Sequence, residues 1–451
     1  MTETKQTLIF VAAAAVLAVI AFLMSPSRVT PEAFLDQGEP FFPDFTDPNK
    51  ATTLEVIDYD EETGSAKPFK VTFKNGQWTI PSHHDYPADA ENRLAKTAAG
   101  VIGIKKDDFR TNNVGDHEAC GVIDPLDESA VGLAGRGKRV TLKDQSGAVL
   151  ADFIVGKKVL NRPGMRFVRV PGQNRVYASK IDVDLSANFA DWINPDLLQV
   201  SRQAIERIEV RDYSINERSL KVDQRDNLVV YKNGDTWKAD HGSTVDSSKI
   251  KDLLAALDQL SIVGVRPKPE GISAGLKSQT ERASISQAEQ MSLQNKGYYL
   301  SSDGQLLSNE GEMIVTTNQG VRYTLRFGEV LYGSGLEVTA GSDAGDEDQG
   351  KGQENRYLFV TTEFEPAVFG SKPPAPTNND YRDKADSLWN GADSTNAERK
   401  RKLDDWNRRY DKGQEIVKDL NSHFADWYYV ISGDAFDKLD VGRSDLIAAK
   451  S

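Results

Sequence analysis

Phe69-Lys70-Val71-Thr72-Phe73-Lys74-Asn75-Gly76-Gln77-Trp78-Thr79-Ile80 decides the fold class. Phe69, Val71 and Phe73 alternate with Lys70, Thr72 and Lys74, the period of two of a half-buried strand. Asn75-Gly76 supplies two residues that tolerate φ > 0 in a tight hairpin, and Trp78-Thr79-Ile80 begins the return strand. Beyond it, Leu94, Ala98, Val101 and Ile102 recur at helical spacing behind Asp89 and Glu91, which suit a first turn. The local order is hairpin, then helix.

That order returns later in the chain. Leu228, Val229, Val230 and Tyr231 run into Lys232-Asn233-Gly234-Asp235-Thr236-Trp237, and Ile250, Leu254, Leu257 and Leu260 form an apolar stripe behind Asp246 as a cap. Phe189-Ala190-Asp191-Trp192 recurs as Phe424-Ala425-Asp426-Trp427, an echo rich in large aromatic side chains. Val140-Thr141-Leu142 to Val155-Gly156 pairs with Ile314-Val315-Thr316 to Phe327-Gly328, and Asn174-Arg175-Val176-Tyr177 with Asn355-Arg356-Tyr357-Leu358. The chain reads as a duplication, with Trp78, Phe189, Trp192, Trp237, Phe424 and Trp427 as its structural markers. The second copy is longer, with additions at about residues 329–354, where Gly341 to Gly350 is acidic, and 359–423.

With 451 residues, 39% hydrophobic and 27% charged, the chain can bury more than one core. Its net charge of -13 argues against nucleic acid, whose binding rests on clustered Lys and Arg displacing counterions. The one cysteine, Cys120, can close no intramolecular disulfide. Leu8 to Met24 is uncharged and apolar throughout, about 17 residues or about 26 Å as a helix, near the short end of a membrane span. Phe22-Leu23-Met24-Ser25-Pro26 has no small-x-small cleavage site, which favours an uncleaved anchor over a secretory signal peptide. Lys5 and the α-amino group precede the segment and Arg28 follows it, a slight bias toward a cytoplasmic N-terminus. Pro26, Pro31, Pro40, Pro43 and Pro48 then punctuate a linker.

Candidate chemistry is sparse. His117-Glu118-Ala119-Cys120 sets an imidazole and a thiol three residues apart, but His83, His84, His241 and His423 complete no tetrahedral spacing, and the stretch reads as a structural turn. His83-His84-Asp85 reads as a surface pair, because neighbours on an extended segment point to opposite sides. Asp343, Asp346 and Asp348 offer oxygens without the register of a calcium loop and read as solvated. No catalytic, metal-binding or cofactor-binding residue is assigned, and no cofactor is expected. The best interaction candidate is a charged helical stretch in which Leu403, Trp406, Tyr410, Val417 and Leu420 keep a 3-4 spacing toward Phe424, with Gly413 interrupting it. These are the candidate partner-binding residues; the plainer reading packs the same face on its own domain.

The apolar N-terminal segment, the paired Asn-Gly…Trp units and the closing Phe424-Ala425-Asp426-Trp427-Tyr428-Tyr429-Val430-Ile431-Ser432 resemble bacterial envelope proteins carrying the domain of unknown function 4340. The resemblance covers the chain from about residue 50 onward and brings no active site with it. It implies a setting beside ABC-type transport systems or a gliding-motility auxiliary component. The expected fold class is α+β: a single transmembrane helix within residues 1–27, a Pro-rich linker over 28–50, and two tandem duplicated units over 51–200 and 201–451. Both units carry antiparallel sheets, and the second adds the acidic loop and the long charged helix. The expected function is non-enzymatic: a single-pass protein of the bacterial inner membrane, held through Leu8 to Met24, with its bulk extracytoplasmic. It would bind or scaffold a membrane-protein partner such as a transporter subunit. The alternatives are an envelope hydrolase or ligand-binding enzyme with carboxylates gathered from distant positions, and a passive spacer.

Overall fold

In the computed structural model, which describes residues 11–19, 36–130, 132–216, 219, 221–278, 286–301, 304–333, 338 and 354–447, two compact units emerge. One comprises the described residues up to Trp78 with Ala90–Ala187, the other Thr79–Asp89 with Asn188–Ser451. Up to Lys180 the chain runs β1 (Thr53–Asp60), β2 (Ser65–Lys74), β3 (Gln77–Ile80), β4 (Tyr86–Pro87), α1 (Glu91–Ile102), β5 (Asp108–Thr111) and α2 (His117–Cys120). It continues with β6 (Lys138–Lys143), β7 (Val149–Lys158), β8 (Met165–Arg169) and β9 (Val176–Lys180). The strand order is β3-β2-β1-β6-β7-β8-β9-β5, and β4 pairs with the end of β3 through Thr79↔Pro87 and Ile80↔Tyr86. Leu54, Val56, Phe69, Val71, Val140, Leu142 and Phe153 fill the core against Leu94, Ala98 and Val101 of α1. Phe41 and Phe45, within the stretch read as a linker, are buried as well.

The second unit repeats this plan. Its elements are β10 (Ile205–Asn216), β11 (Lys221–Asn233), β12 (Thr236–Ala239), α3 (Ser247–Asp258), β13 (Gly264–Pro267), α4 (Glu270–Ser278), α5 (Gln287–Gln294), β14 (Tyr298–Leu300) and β15 (Leu306–Ser308). There follow β16 (Glu312–Thr317), β17 (Val321–Tyr332), β18 (Glu354–Phe364), α6 (Gly391–Ala425), β19 (Trp427–Ser432), α7 (Gly433–Asp437) and α8 (Arg443–Leu446). The sheet order β12-β11-β10-β16-β17-β18-β19-β13 matches the first sheet strand for strand. Asp246 caps α3 by accepting from the backbone of Ser248 and Lys249. The hairpins differ at their tips. Asn75 and Gly76 lie at φ 55° and 83°, the I′ pattern, whereas Asn233 pairs with Thr236 and the turn falls on Gly234-Asp235, with Gly234 at φ 63°, so that glycine comes first as in type II′. The extra residue Asp235 moves the turn by one.

Topology revises two of the sequence correspondences. The counterpart of β18 is β8, not β9, so Asn174-Arg175 and Asn355-Arg356 occupy different strands of the plan. Phe189–Trp192 follows β9, whereas Phe424–Trp427 runs from the end of the long helix into the first residue of β19, so the tetrapeptide echo does not join equivalent positions. The equivalent of Phe189-Ala190-Asp191-Trp192-Ile193-Asn194-Pro195, which leads into β10, is Phe42-Pro43-Asp44-Phe45-Thr46-Asp47-Pro48, which leads into β1. Phe45 and Trp192 are both buried.

The expected membrane segment is overturned. The described helix there covers residues 11–19, about 13 Å, against the roughly 20 residues a span requires. Among the described residues no helix is long and apolar enough to cross a membrane; the remainder of Leu8 to Met24 lies outside them. The transmembrane helix of the expected fold class, and with it the single-pass inner-membrane localisation, are therefore corrected to a mixed α+β fold with antiparallel sheets.

The 35-residue α6 owes its length to a stop at each end and a seam along one side. Asn390 and Asp393 form a reciprocal capping box at its start. Its outer face carries the ion pairs Glu398–Lys402 and Lys412–Glu415, each at 2.7 Å. Near its C-terminal end Asn421 docks on β18, its Oδ1 accepting from the Thr362 hydroxyl at 2.8 Å and its Nδ2 donating to the Thr362 carbonyl at 3.0 Å. Gly413 does not interrupt the seam but is its point of closest approach: a Cβ there would meet the Gln319 carbonyl at 2.5 Å and Phe364 at 2.7 Å. Gly413→Ala should gain about 1 kcal/mol of helix propensity yet lose about 1–3 kcal/mol to overpacking. The expected outcome is a lower urea midpoint; an unchanged or higher one would mean that the Gln319 turn yields.

Candidate functional site

Trp427-Tyr428-Tyr429-Val430-Ile431-Ser432 forms β19, so alternate residues serve opposite faces of the second sheet beside its edge strand β13. On one face Tyr428 stacks on Tyr298 at 6.0 Å and meets Phe359 edge-on at 5.8 Å. Three buried cations join these rings. Arg266 sits opposite Tyr428 on β13. Lys268 places Nζ 3.9 Å from the Phe359 ring centre, and Lys296 places Nζ 4.9 Å from that of Tyr428. Two of the cations reach backbone carbonyls. Arg266 Nη1 donates to the carbonyls of Val265 and Val338, and Lys268 Nζ donates to that of Phe424 at 2.9 Å. Phe424 lies in the last turn of α6, where carbonyls lack helical partners and the dipole favours a cation, so Lys268 caps the helix. Burial nonetheless drives the Lys268 amine well below the usual lysine range, opposed by the Asp426 carboxylate.

The other face holds Tyr429, Trp427 and the 79–89 segment. His83 stacks on Phe189 at 4.5 Å and 13°, and Tyr86 meets Phe189 and Trp427 edge-on at 5.5 and 5.0 Å. The Tyr429 hydroxyl donates to the His423 carbonyl at 3.2 Å, and the Asp89 amide donates to the Trp192 carbonyl at 2.8 Å. His83 is only 2% exposed, so the surface reading of His83-His84 fails for the first of the pair. The reason is the turn: His84 and Asp85 take left-handed φ of 58° and 59°, which breaks the extended geometry on which that reading depended. Burial first, then His84 and Arg266, lower the His83 pKa to about 4. Burial also lowers that of His423 and raises that of Tyr429.

Matching the registers of the two sheets pairs Thr111, beside the unpaired Arg110 of an irregularity in β5, with Arg266, Val176 with Tyr428, and Tyr177 with Tyr429. Cys120 pairs with Lys296, each followed by a left-handed glycine, Gly121 or Gly297. The first unit thus holds an apolar cluster of Cys120, Val122, Ile154 and Val176, with the buried Arg169 donating to the Val122 carbonyl at 2.8 Å, where the second holds Lys296, Tyr298, Phe359 and Tyr428. Burial raises the Cys120 thiol pKa, partly offset by a hydrogen bond from Arg110, and His117 Nε2 lies 2.9 Å from the Asn174 carbonyl.

The candidate partner-binding stripe turns toward its own unit. Val417 and Leu420 are buried, Tyr410 meets Phe364 edge-on at 4.8 Å, Trp406 stacks on Tyr410 at 4.8 Å, and Leu403 is half-buried. Of the repeat markers, Phe189, Trp192 and Phe424 are buried, while Trp78, Trp237 and Trp427 are half-buried. The acidic stretch with Asp343, Asp346 and Asp348 lies outside the described residues. Among the described residues no three His, Cys, Asp or Glu are placed to hold a metal ion. A cleft of about 600 Å³ in the first unit is framed by Lys158, Arg162, Arg166, Met165 and Ile181.

Residues 78–279 match the family model described as a domain of unknown function, DUF4340. The match supports that family. It begins at the return strand of the first hairpin and ends just past α4, so it holds the 79–89 segment, Arg266 and Lys268. No curated protein and no solved structure matches the chain. Sequence reasoning missed Arg266, Lys268 and Lys296, which carry no motif. Only the equivalence of β5 with β13 would have drawn attention to Arg110 and Arg266.

Lys268 makes a testable contribution to stability. Its pKa is depressed below 10.5 in the folded chain, so between the two values the unfolded chain binds one more proton and stability rises with pH. Lys268→Met keeps the stem on Phe359 and removes the titration. It should flatten the rise of unfolding free energy between about pH 7.5 and pH 9.5, below the tyrosine range, in urea titrations; an unchanged slope would mean that the amine stays charged in the fold.

Proposed function

We propose that this chain is a binding or scaffold protein and not a catalyst. What supports the reading is where its reactive side chains are spent. Lys268 caps α6, His83 stacks on Phe189, His117 reaches the Asn174 carbonyl, and the buried Cys120 has a raised pKa that disfavours thiolate. Each of these groups is committed to holding one segment on another. The partner class implied by the family resemblance, a component of an ABC-type transport or motility assembly, is the first to test by crosslinking.

One observation favours a second reading: a buried lysine with a depressed pKa is the kind of amine that forms Schiff bases in carbonyl chemistry. Reductive labelling separates the two. On incubation of the folded chain with a small aldehyde and borohydride, peptide mapping should find surface lysines modified and Lys268 spared. Selective, stoichiometric labelling of Lys268 would favour the enzyme and end the scaffold reading.

A further inference from the structure

We propose that Phe189, Trp427 and Tyr429 form a docking groove in the second unit for the chain's own 79–89 strap, and that acid releases the strap while the sheet stays folded. The groove is aromatic and the strap is shaped to it. Thr79, Ile80, His83 and Tyr86 are its buried residues, and the His83–Tyr86 spacing lets an imidazole lie flat on Phe189 while a phenol wedges between Phe189 and Trp427. An apolar, π-faced site of this kind accepts a neutral imidazole and disfavours a charged one.

Two further features set the strap apart from a permanent part of the core. The first is strain: His84 and Asp85 are consecutive non-glycine residues in left-handed conformation, a geometry kept only while surrounding contacts enforce it. The second is the electrostatic setting of His83. His84 on its own segment and Arg266 on β13 both act on it with the sign that opposes an imidazolium. Phe189 faces it with a ring, Ser82 lies 3.0 Å from Nδ1 with a hydroxyl, and the nearby Tyr86 and Tyr429 hydroxyls both have pKa values raised by burial, that of Tyr429 donating to the His423 carbonyl. Protonation therefore weakens seating. With His83 titrating at about 4 in the groove and at 6.5 when released, the ratio of released to seated strap should rise about thirtyfold between pH 7.5 and pH 5.

Hydrogen exchange on the full chain, corrected for intrinsic rates, tests this directly. Peptides covering residues 79–89 should lose about thirtyfold in protection from pH 7.5 to pH 5 while peptides covering β16 and β17 keep theirs, and His83→Phe should hold strap protection level across that range. The proposal is overturned if wild-type strap protection does not change, if strap and β16–β17 lose it together, or if His83→Phe follows the wild type. Should His83→Phe fail to fold, NMR titration of the wild-type histidines decides. A His83 midpoint below about 5.5 supports the buried seat, and one near 6.5 overturns it.

Discussion

Gly156 and Gly328 mark the contact on which the two sheets are organised. Each lies where a long strand slips register against its neighbour, and a Cβ at either position would sit 2.3 or 2.2 Å from a carbonyl, that of Cys120 or Lys296. No side chain can be accommodated there. The segment after the edge strand therefore reaches the sheet at one place in each unit. Arg166 and Arg356, on the next strand, lock it by donating to the carbonyls of Gly156 and Gly328. An irregularity in a strand, paired with a close backbone approach and a charged donor, fixes where everything downstream is laid.

That constraint explains why the copies can diverge without losing their plan. Once the covering segment is pinned, the residue beside the pin faces the space between sheet and cover, and its identity is open. The first unit fills that space with Cys120 and Val176, the second with Lys296 and Tyr428. A buried lysine costs desolvation, which a ring face and backbone carbonyls partly offset. Lys268 obtains its carbonyl from α6, which belongs to the large addition between β18 and β19. The long helix and the buried lysine thus depend on each other: the helix end needs a donor, and the buried amine needs an acceptor.

Local periodicity made much of the fold legible. Alternation along Phe69–Phe73, the Asn75-Gly76 turn and the stripes of α1 and α3 are short-range signals that tertiary contacts did not override. The seam of α6 was visible in its 3-4 spacing, but its direction was not. An apolar stripe facing a partner and one facing its own sheet look alike until β18 is placed. Gly413 shows the same ambiguity, since a helical glycine reads as a break and serves as a contact.

The two sheets share an order of strands, and the most conspicuous echo in the sequence does not follow it. Phe-Ala-Asp-Trp drew attention because four letters coincide, yet one copy enters a sheet and the other lies between a helix and its next strand. The true counterpart, Phe42-Pro43-Asp44-Phe45-Thr46-Asp47-Pro48, shares with Phe189-Ala190-Asp191-Trp192-Ile193-Asn194-Pro195 only the physically demanding positions: an aromatic, an acid, a second buried aromatic, an Asp or Asn, and a proline. Asp47 and Asn194 each accept from the backbone amide two residues on, so either side chain makes the same turn. Identity of letters measured resemblance less well than equivalence of roles. The cations of the second unit were hidden for a related reason: Arg266 and Lys268 share the β13 segment, Lys296 comes from another, and they acquire a common setting only when β19 lies beside β13.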